Sequence, residues 1–154
     1  MKKAKIIIIF LSFVVLGLWL WSFQQGRVEI DLDGRILEIG EAKVSVEIAD
    51  SPEEWSQGLS GREGLGEGDG MLFVFPNSTQ RSFWMKGMRF PLDMLFIDQG
   101  SVVEIVSSVP APSEGQDGTE ITVLSQKPAD WVLEVNSGWV ERHGIVVGDG
   151  VELL

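Results

Sequence analysis

Apolar residues along this 154-residue chain follow three successive patterns, each predicting a different kind of element. Positions 6–23 are apolar throughout, uncharged and interrupted only by Ser12, Gly17 and Ser22. At ~1.5 Å of rise per residue a helix there reaches ~27 Å, close to the ~30 Å hydrocarbon core of a bilayer, and so predicts a transmembrane helix. From residue 27 the period becomes two. Val28, Ile30 and Leu32, then Ile36, predict strands over 27–32 and 35–39 joined by a tight primed turn at Asp33-Gly34, and Val44, Val46 and Ile48 predict a strand over 43–49.

Ser51-Pro52-Glu53-Glu54 breaks that alternation. It supplies a capping hydroxyl, a proline at the first helical position and an acid three residues after the cap, and predicts a short helix over 52–59. Glycines at 58, 61, 64, 66, 68 and 70 then predict a closely turned loop. In the third pattern both faces are apolar, as in buried strands over 70–75, 94–98 and 131–135. Pro76-Asn77-Ser78 is expected to turn the first of these, Gln99-Gly100 to join 94–98 to 102–106 as a hairpin, and 81–86 and 119–124 to form further strands. Residues 110–118 have no apolar period. Asn136 or Ser137 is expected to cap a second short helix through Trp139 to His143, stopped by Gly144, before Gly148-Asp149-Gly150 turns into 151–154. The elements predict a mainly β (α+β) domain: a compact small barrel or strongly bent antiparallel or mixed sheet with two short helices, behind one N-terminal transmembrane helix.

Charge orients that helix. Lys2, Lys3 and Lys5 precede it and Trp19 and Trp21 lie near its far end, so the N-terminus is expected inside and the remainder extracytoplasmic. The expected organisation is a cytoplasmic basic flank (1–5), a signal anchor (6–23), a juxtamembrane linker and hairpin (24–42) and one domain (43–154). Ser22-Phe23-Gln24-Gln25-Gly26 matches a cleavage site poorly, which favours an anchor over a cleaved signal; cleavage would make the protein secreted. The chain has no cysteine, which excludes a lipoprotein anchor and disulfide staples, and one histidine leaves little for zinc, so neither metal nor cofactor is expected. Beyond residue 26 there are 9 basic and 23 acidic residues, a net charge of −14 that repels nucleic acid. The membrane and an envelope ligand or protein are the expected partners.

Gly64-Leu65-Gly66-Glu67-Gly68 follows a helix and enters a strand, the reverse of a dinucleotide fingerprint, and its acids would repel phosphate. Asp31-Leu32-Asp33-Gly34 is only a fragment of a calcium loop. His143 reads as a structural residue of the last helical turn, four residues after Trp139. The stretch from Arg81 to Asp93 combines Arg81, Lys86 and Arg89 with aromatic and Met side chains. On a strand Arg81, Phe83 and Met85 share one face and Ser82, Trp84 and Lys86 the other, so an indole can stand beside an ammonium. Asp93 has the parity of Leu95 and Ile97 between two apolar faces, and there must pair with a cation (Lys86 and Arg89 are nearest), accept backbone hydrogen bonds, or act on a ligand. Glu134 shares its face with Val132 and poses the same question.

These residues belong to a larger set of ordered blocks: 46–54 with Gln57-Gly58-Leu59 and Arg62, then 70–75, 81–86, Pro91-Leu92-Asp93, Phe96-Ile97-Asp98, 132–136 with Gly138-Trp139, and 144–149. Through them the chain resembles the domain of unknown function 192 family over about 44–151. The resemblance implies a compact β-rich domain, often exported or membrane-anchored, without an established activity. Two positions depart from the family pattern: Gly87 stands where an Asn is common, and 110–127 lacks the usual Cys or Tyr. Two functions are open at this point, with a purely structural partner domain, marked by a flat apolar patch around Trp84 and Met88, as a third possibility. One is a non-catalytic ligand-binding or interaction module at the envelope, with a surface of Arg62, Arg81, Trp84, Lys86 and Asp93. The other is a hydrolase-type envelope enzyme using Asp93 or Glu134 as general acid or base, which needs two carboxyls converging on one pocket.

Overall fold

The computed structural model of the protein describes residues 34–154. The transmembrane helix expected over 6–23 and the strand expected over 27–32 lie outside the described residues. Among those described, no helix is long and apolar enough to cross a membrane. The elements are β1 (Arg35–Ile39), β2 (Ala42–Ala49), α1 (Pro52–Gln57), β3 (Asp69–Thr79), β4 (Ser82–Trp84), β5 (Leu92–Asp98), β6 (Ser101–Val109), β7 (Thr122–Leu124), β8 (Ala129–Asn136), α2 (Trp139–His143) and β9 (Val151–Leu153).

Seven strands form one mixed sheet in the order β6-β5-β8-β3-β2-β1-β9, while β4 and β7 pair as a separate ribbon. Among the described residues the one parallel pair is β2 with β3, and parallel neighbours require a crossover, here α1 and the glycine loop. The sheet curls until its two ends approach. Val102 N–H donates to Asp149 O at 2.9 Å, Gly148 N–H to Val102 O at 2.8 Å and Val151 N–H to Gly100 O at 2.8 Å. The fold is thus mainly β, a curled half-barrel with two short helices.

Residues of alternating parity on β5 and β8 feed two separate cores. Leu95, Ile97, Leu133 and Val135 join Leu37, Val44, Leu72 and Trp139 on the concave side, which α2 plugs. Leu92, Met94, Phe96 and Val132 pack on the other side with Phe73, Met85, Met88 and Leu59, beneath α1 and the β4–β7 ribbon. Such strands read as continuous apolar runs because both faces are covered.

The capping box forms as expected, Ser51 Oγ accepting from Glu54 N–H while the Glu54 carboxylate accepts from Ser51 N–H. The helix is shorter than expected, because Gly58 at φ +46° donates to Glu54 O and closes it after Gln57. The Gln99-Gly100 hairpin has positive φ at both turn residues, as a primed turn requires. β1 forms its hairpin with β2 around Gly40-Glu41 and gives its other edge to β9. Three expectations are corrected. Pro76-Asn77-Ser78 does not end β3, which continues to Thr79 through a register shift that accommodates a residue without an N–H. The strand over 81–86 shrinks to β4 and leaves the main sheet. Neither Asn136 nor Ser137 caps α2: Gly138 does, with no side-chain bond, and Asn136 Nδ2 instead donates to the Leu65 and Gly66 carbonyls.

Residues 110–127 fold back onto the chain around Met85. Met85 N–H donates to Ile121 O and Gly87 N–H to Asp117 O. Gly118, at φ +90°, lies so close that an added Cβ would stand 2.1 Å from Met85 O. Gly118→Ala is therefore expected to cost about 2–4 kcal/mol, measured as a fall in the urea midpoint. A loss below ~0.5 kcal/mol would show that this contact yields easily.

Candidate functional site

A cavity of about 490 Å³ opens between the convex face of the sheet, α1 and β4. Its walls are aromatic. α1 contributes Trp55, held by its indole N–H donating to Ala49 O at 3.0 Å. Phe73 and Phe75 come from one face of β3, and Phe83 and Trp84 from β4. The rings are mutually inclined: Trp55 and Phe75 have centroids 4.8 Å apart at 44°, and Phe83 stands edge-on to Phe73 at 5.0 Å and to Phe75 at 6.4 Å. Trp84 is 47% exposed and forms part of the rim.

Glu134 reaches the cavity from β8, flanked across the ladder by Met71 of β3 and Met94 of β5. It is only 4% exposed, and among the described residues neither a hydrogen bond nor a nearby charge acts on its carboxyl. Burial alone pushes its pKa up to about 8, so the acid is predominantly protonated at neutral pH. Arg81 is the other charged residue lining the cavity. Its guanidinium lies 3.9 Å over the Phe75 ring, donates from Nε to Ala129 O at 2.9 Å, and from Nη2 to Asn77 O and to Asn77 Oδ1 at 3.0 Å. Desolvation lowers its pKa, opposed by the charge of Asp130.

Of the residues singled out from sequence, Arg81, Trp84 and Glu134 meet at this cavity. Lys86 does not line it, but its ammonium lies 5.6 Å from the Trp84 ring centroid, beside the rim. Arg62 is elsewhere: both its terminal nitrogens bind Glu47, at 2.5 and 2.7 Å, which lowers the Glu47 pKa. Because this fork sits at the surface, Arg62→Ala is expected to cost at most ~1 kcal/mol and to leave binding at the cavity unchanged, by calorimetry.

Asp93 is also removed from the surface expected for it. It pairs with neither Lys86 nor Arg89; Arg89 forms its ion pair with Glu63. Fully buried, Asp93 accepts from Ser108 N–H at 2.8 Å and Val140 N–H at 3.1 Å, so it joins a β6 bulge to the first turn of α2. It supplies the acceptor that Gly138 cannot. Asp93 is opposite Val135 and Glu134 opposite Met94, so the two acids project from opposite faces of the sheet. They cannot converge on one bond, and the paired-carboxylate enzyme loses its geometry.

His143 stacks on Trp139 at 4.3 Å, as its spacing suggests. Gly87 lies at φ +67°, a region that Gly and Asn adopt most readily, so the departure there preserves the turn while removing a side chain. No residue of 110–127 lines the aromatic cavity. Among the described residues no group of His, Cys, Asp and Glu is arranged to hold a metal ion.

Phe83 belongs to the stretch singled out from sequence, on the face of Arg81, whereas the wall residues Trp55, Phe73 and Phe75 do not. Their only signals are a shared parity at 73 and 75 and the i, i+4 pair Trp55 and Leu59, both of which equally describe a core.

The family model for domain of unknown function 192, described as an uncharacterized ACR, matches residues 35–153. No curated protein matches the chain. Among solved structures, a protein of Sinorhizobium meliloti 1021, provisionally described as a transcription regulator, is 33% identical with a TM-score of 0.69, over 77% of this chain and 92% of that one. A protein of unknown function from Novosphingobium aromaticivorans DSM 12444 is 30% identical with a TM-score of 0.66, over 76% and 83% respectively.

Proposed function

From the premise that the chain belongs to the domain of unknown function 192 family, which carries no assigned activity, we propose that its domain is a small-molecule binding module whose site is the aromatic cavity. In this reading residues 6–23 anchor the domain at the outer face of a membrane, consistent with the basic flank before them and the tryptophans near their end. The observation that carries the binding role is Glu134. Its carboxyl is desolvated by the side chains around it and meets no protein partner, while its oxygens keep contact with the cavity, where an incoming molecule can supply that partner. The volume suits a small organic ligand, and apolar walls around one polar group are the usual composition of such sites. Glu134 faces the cavity without a second acid, which favours binding over two-carboxylate hydrolysis.

The description of the Sinorhizobium protein as a regulator supports no nucleic-acid role for this domain, because a net charge of −14 beyond residue 26 opposes a polyanion. The test is a thermal-shift screen of the full chain in non-ionic detergent against neutral, anionic and cationic metabolites. At ~100 times its dissociation constant a ligand adds ~2.7 kcal/mol, enough for a clear rise in melting temperature. At least one compound is expected to stabilise the native chain and to lose most of that effect in Trp84→Ala, which removes a rim side chain without disturbing the core. If every shift persists undiminished in Trp84→Ala and Glu134→Gln, the cavity is not the site.

A further inference from the structure

We infer that the occupant of this cavity is an uncharged molecule with an apolar body, held through a hydroxyl group hydrogen-bonded to the Glu134 carboxyl. The inference rests on the reading of the cavity as a binding site and adds the chemical class of its ligand. Glu134 lines the cavity without a protein partner, and its oxygens keep contact with the open space. The wall beside it is apolar. On its face of the sheet Met71 and Met94 stand directly across the ladder and Phe73 on the diagonal, and Leu59 and Met88 pack in the same cluster.

Neither sign of charge suits this space. Cations already stand against two of the rings, the Arg81 guanidinium 3.9 Å from the Phe75 centroid and the Lys86 ammonium 5.6 Å from that of Trp84, and would repel a third. An anion would meet an acid at Glu134, and elsewhere an Arg81 whose Nε and Nη2 donors are engaged by Ala129 and Asn77 oxygens. The Ala129 carbonyl that holds Arg81 lies five residues from Glu134 along β8, about 16 Å at ~3.3 Å per residue, so Arg81 cannot serve an anion beside Glu134. The net charge of −14 beyond residue 26 also opposes an anion's approach.

A hydroxyl suits Glu134 in both of its states, because it accepts from the protonated acid and donates to the carboxylate. It does so through one oxygen, so the rest of the ligand can stay apolar against Phe73 and the methionines. With its pKa at about 8 the acid is predominantly protonated at pH 7 and predominantly ionised at pH 9. The other groups around it do not titrate in that range. Of the residues lining the cavity only Arg81 is also charged, β3 and β5 present Met71 and Met94, and Glu47, opposite Met71 on β2, is paired with Arg62.

The experiment is isothermal titration calorimetry of the full chain in non-ionic detergent with four molecules of one frame: 2-phenylethanol, its methyl ether, phenylacetate and 2-phenylethylammonium. At pH 7 the alcohol is expected to bind at least ~10-fold more tightly than either ion. Glu134→Met, which gives this position the side chain of its neighbours Met71 and Met94, should weaken the alcohol ~10-fold, whereas Glu134→Gln, whose amide also donates and accepts, should stay within ~3-fold of the native chain. Between pH 7 and pH 9 the ether, which only accepts, should lose about fivefold while the alcohol does not weaken. Melting curves verify that both variants fold, and comparing each ligand between variants cancels its partition into detergent. If either ion binds as well as the alcohol, if Glu134→Met leaves the alcohol's affinity unchanged, or if the ether matches the alcohol at pH 9, the hydroxyl assignment is wrong while the cavity remains a binding site. If the alcohol does not bind at ~10 mM, the assignment also fails. The broad screen with Trp84→Ala then judges the binding role separately.

Discussion

Asp93→Ala is expected to lower stability by about 3–5 kcal/mol, a large part of what holds a domain of this size together. Two N–H groups would lose a charged acceptor, at roughly 1.5–3 kcal/mol for each such bond. The positions of these donors explain the size of the effect. The β5–β6 register slips between Leu92 and Met94, so Asp93 faces a bulge rather than a ladder partner, and Ser108 within that bulge has a φ of +57°. A non-glycine residue is strained there, and the bond from its N–H to Asp93 Oδ1 helps hold it. The second oxygen receives Val140 N–H in the first turn of a five-residue helix that lacks a side-chain cap. Urea unfolding should therefore show Asp93→Ala far below the native chain. Asp93→Asn, which keeps one carbonyl acceptor in a similar shape, should fall between them. A loss under ~1 kcal/mol for Asp93→Ala would mean that these bonds are replaced by water and that Asp93 is free for another role.

Asp93 also marks how far the sequence could be read. Its parity within 92–98 correctly placed it between two apolar surroundings, and the need for cations or backbone donors followed from elementary desolvation. Which donors satisfy it did not follow, because Ser108 and Val140 lie 15 and 47 residues away and meet it only when the sheet curls. Local signals survived well elsewhere. The Ser51 capping box, the Gln99-Gly100 turn and the Gly144 helix stop each depend on a few adjacent residues, and all three formed. Pro76 misled because a proline ends a regular ladder but tolerates a bulged one. The cavity was the least legible feature. Trp84 and Arg81 stood out as an aromatic and a cation in an acidic chain, whereas Phe73 and Phe75 carry the same pattern as any buried strand. Only the crossing of α1 and the β4–β7 ribbon over the sheet separates cavity wall from core. Arg62, singled out for the site, is instead taken up by Glu47, which lies fifteen residues before it.

Glu134→Gln is expected to make the protein more stable, by about 3 kcal/mol at pH 7 and about 5 kcal/mol at pH 9, and to change little at pH 4. The native carboxyl titrates near 8, against an ordinary value of 4.5. Between those limits the folded protein binds a proton that the unfolded chain has released, so stability is greatest in the protonated range and falls as pH rises. The slope approaches 1.36 kcal/mol per unit and vanishes above the folded pKa. The other shifted carboxylates do not mask it: Glu47, Glu54 and Asp117 are held below their usual values, so their contributions are lost on acidification, outside this window. The amide has nearly the shape of the neutral acid and cannot ionise, so the difference between the two unfolding profiles isolates this residue. Equal slopes from pH 5 to 8 would show that the Glu134 carboxyl is hydrated or paired and would remove the observation that carries the binding site. If the slope is present, a saturating ligand that binds the Glu134 carboxylate should flatten it in the native chain, because it restores the carboxylate's missing partner. A residue that weakens the fold in the empty protein and ceases to do so when the cavity is filled is better explained by binding than by packing.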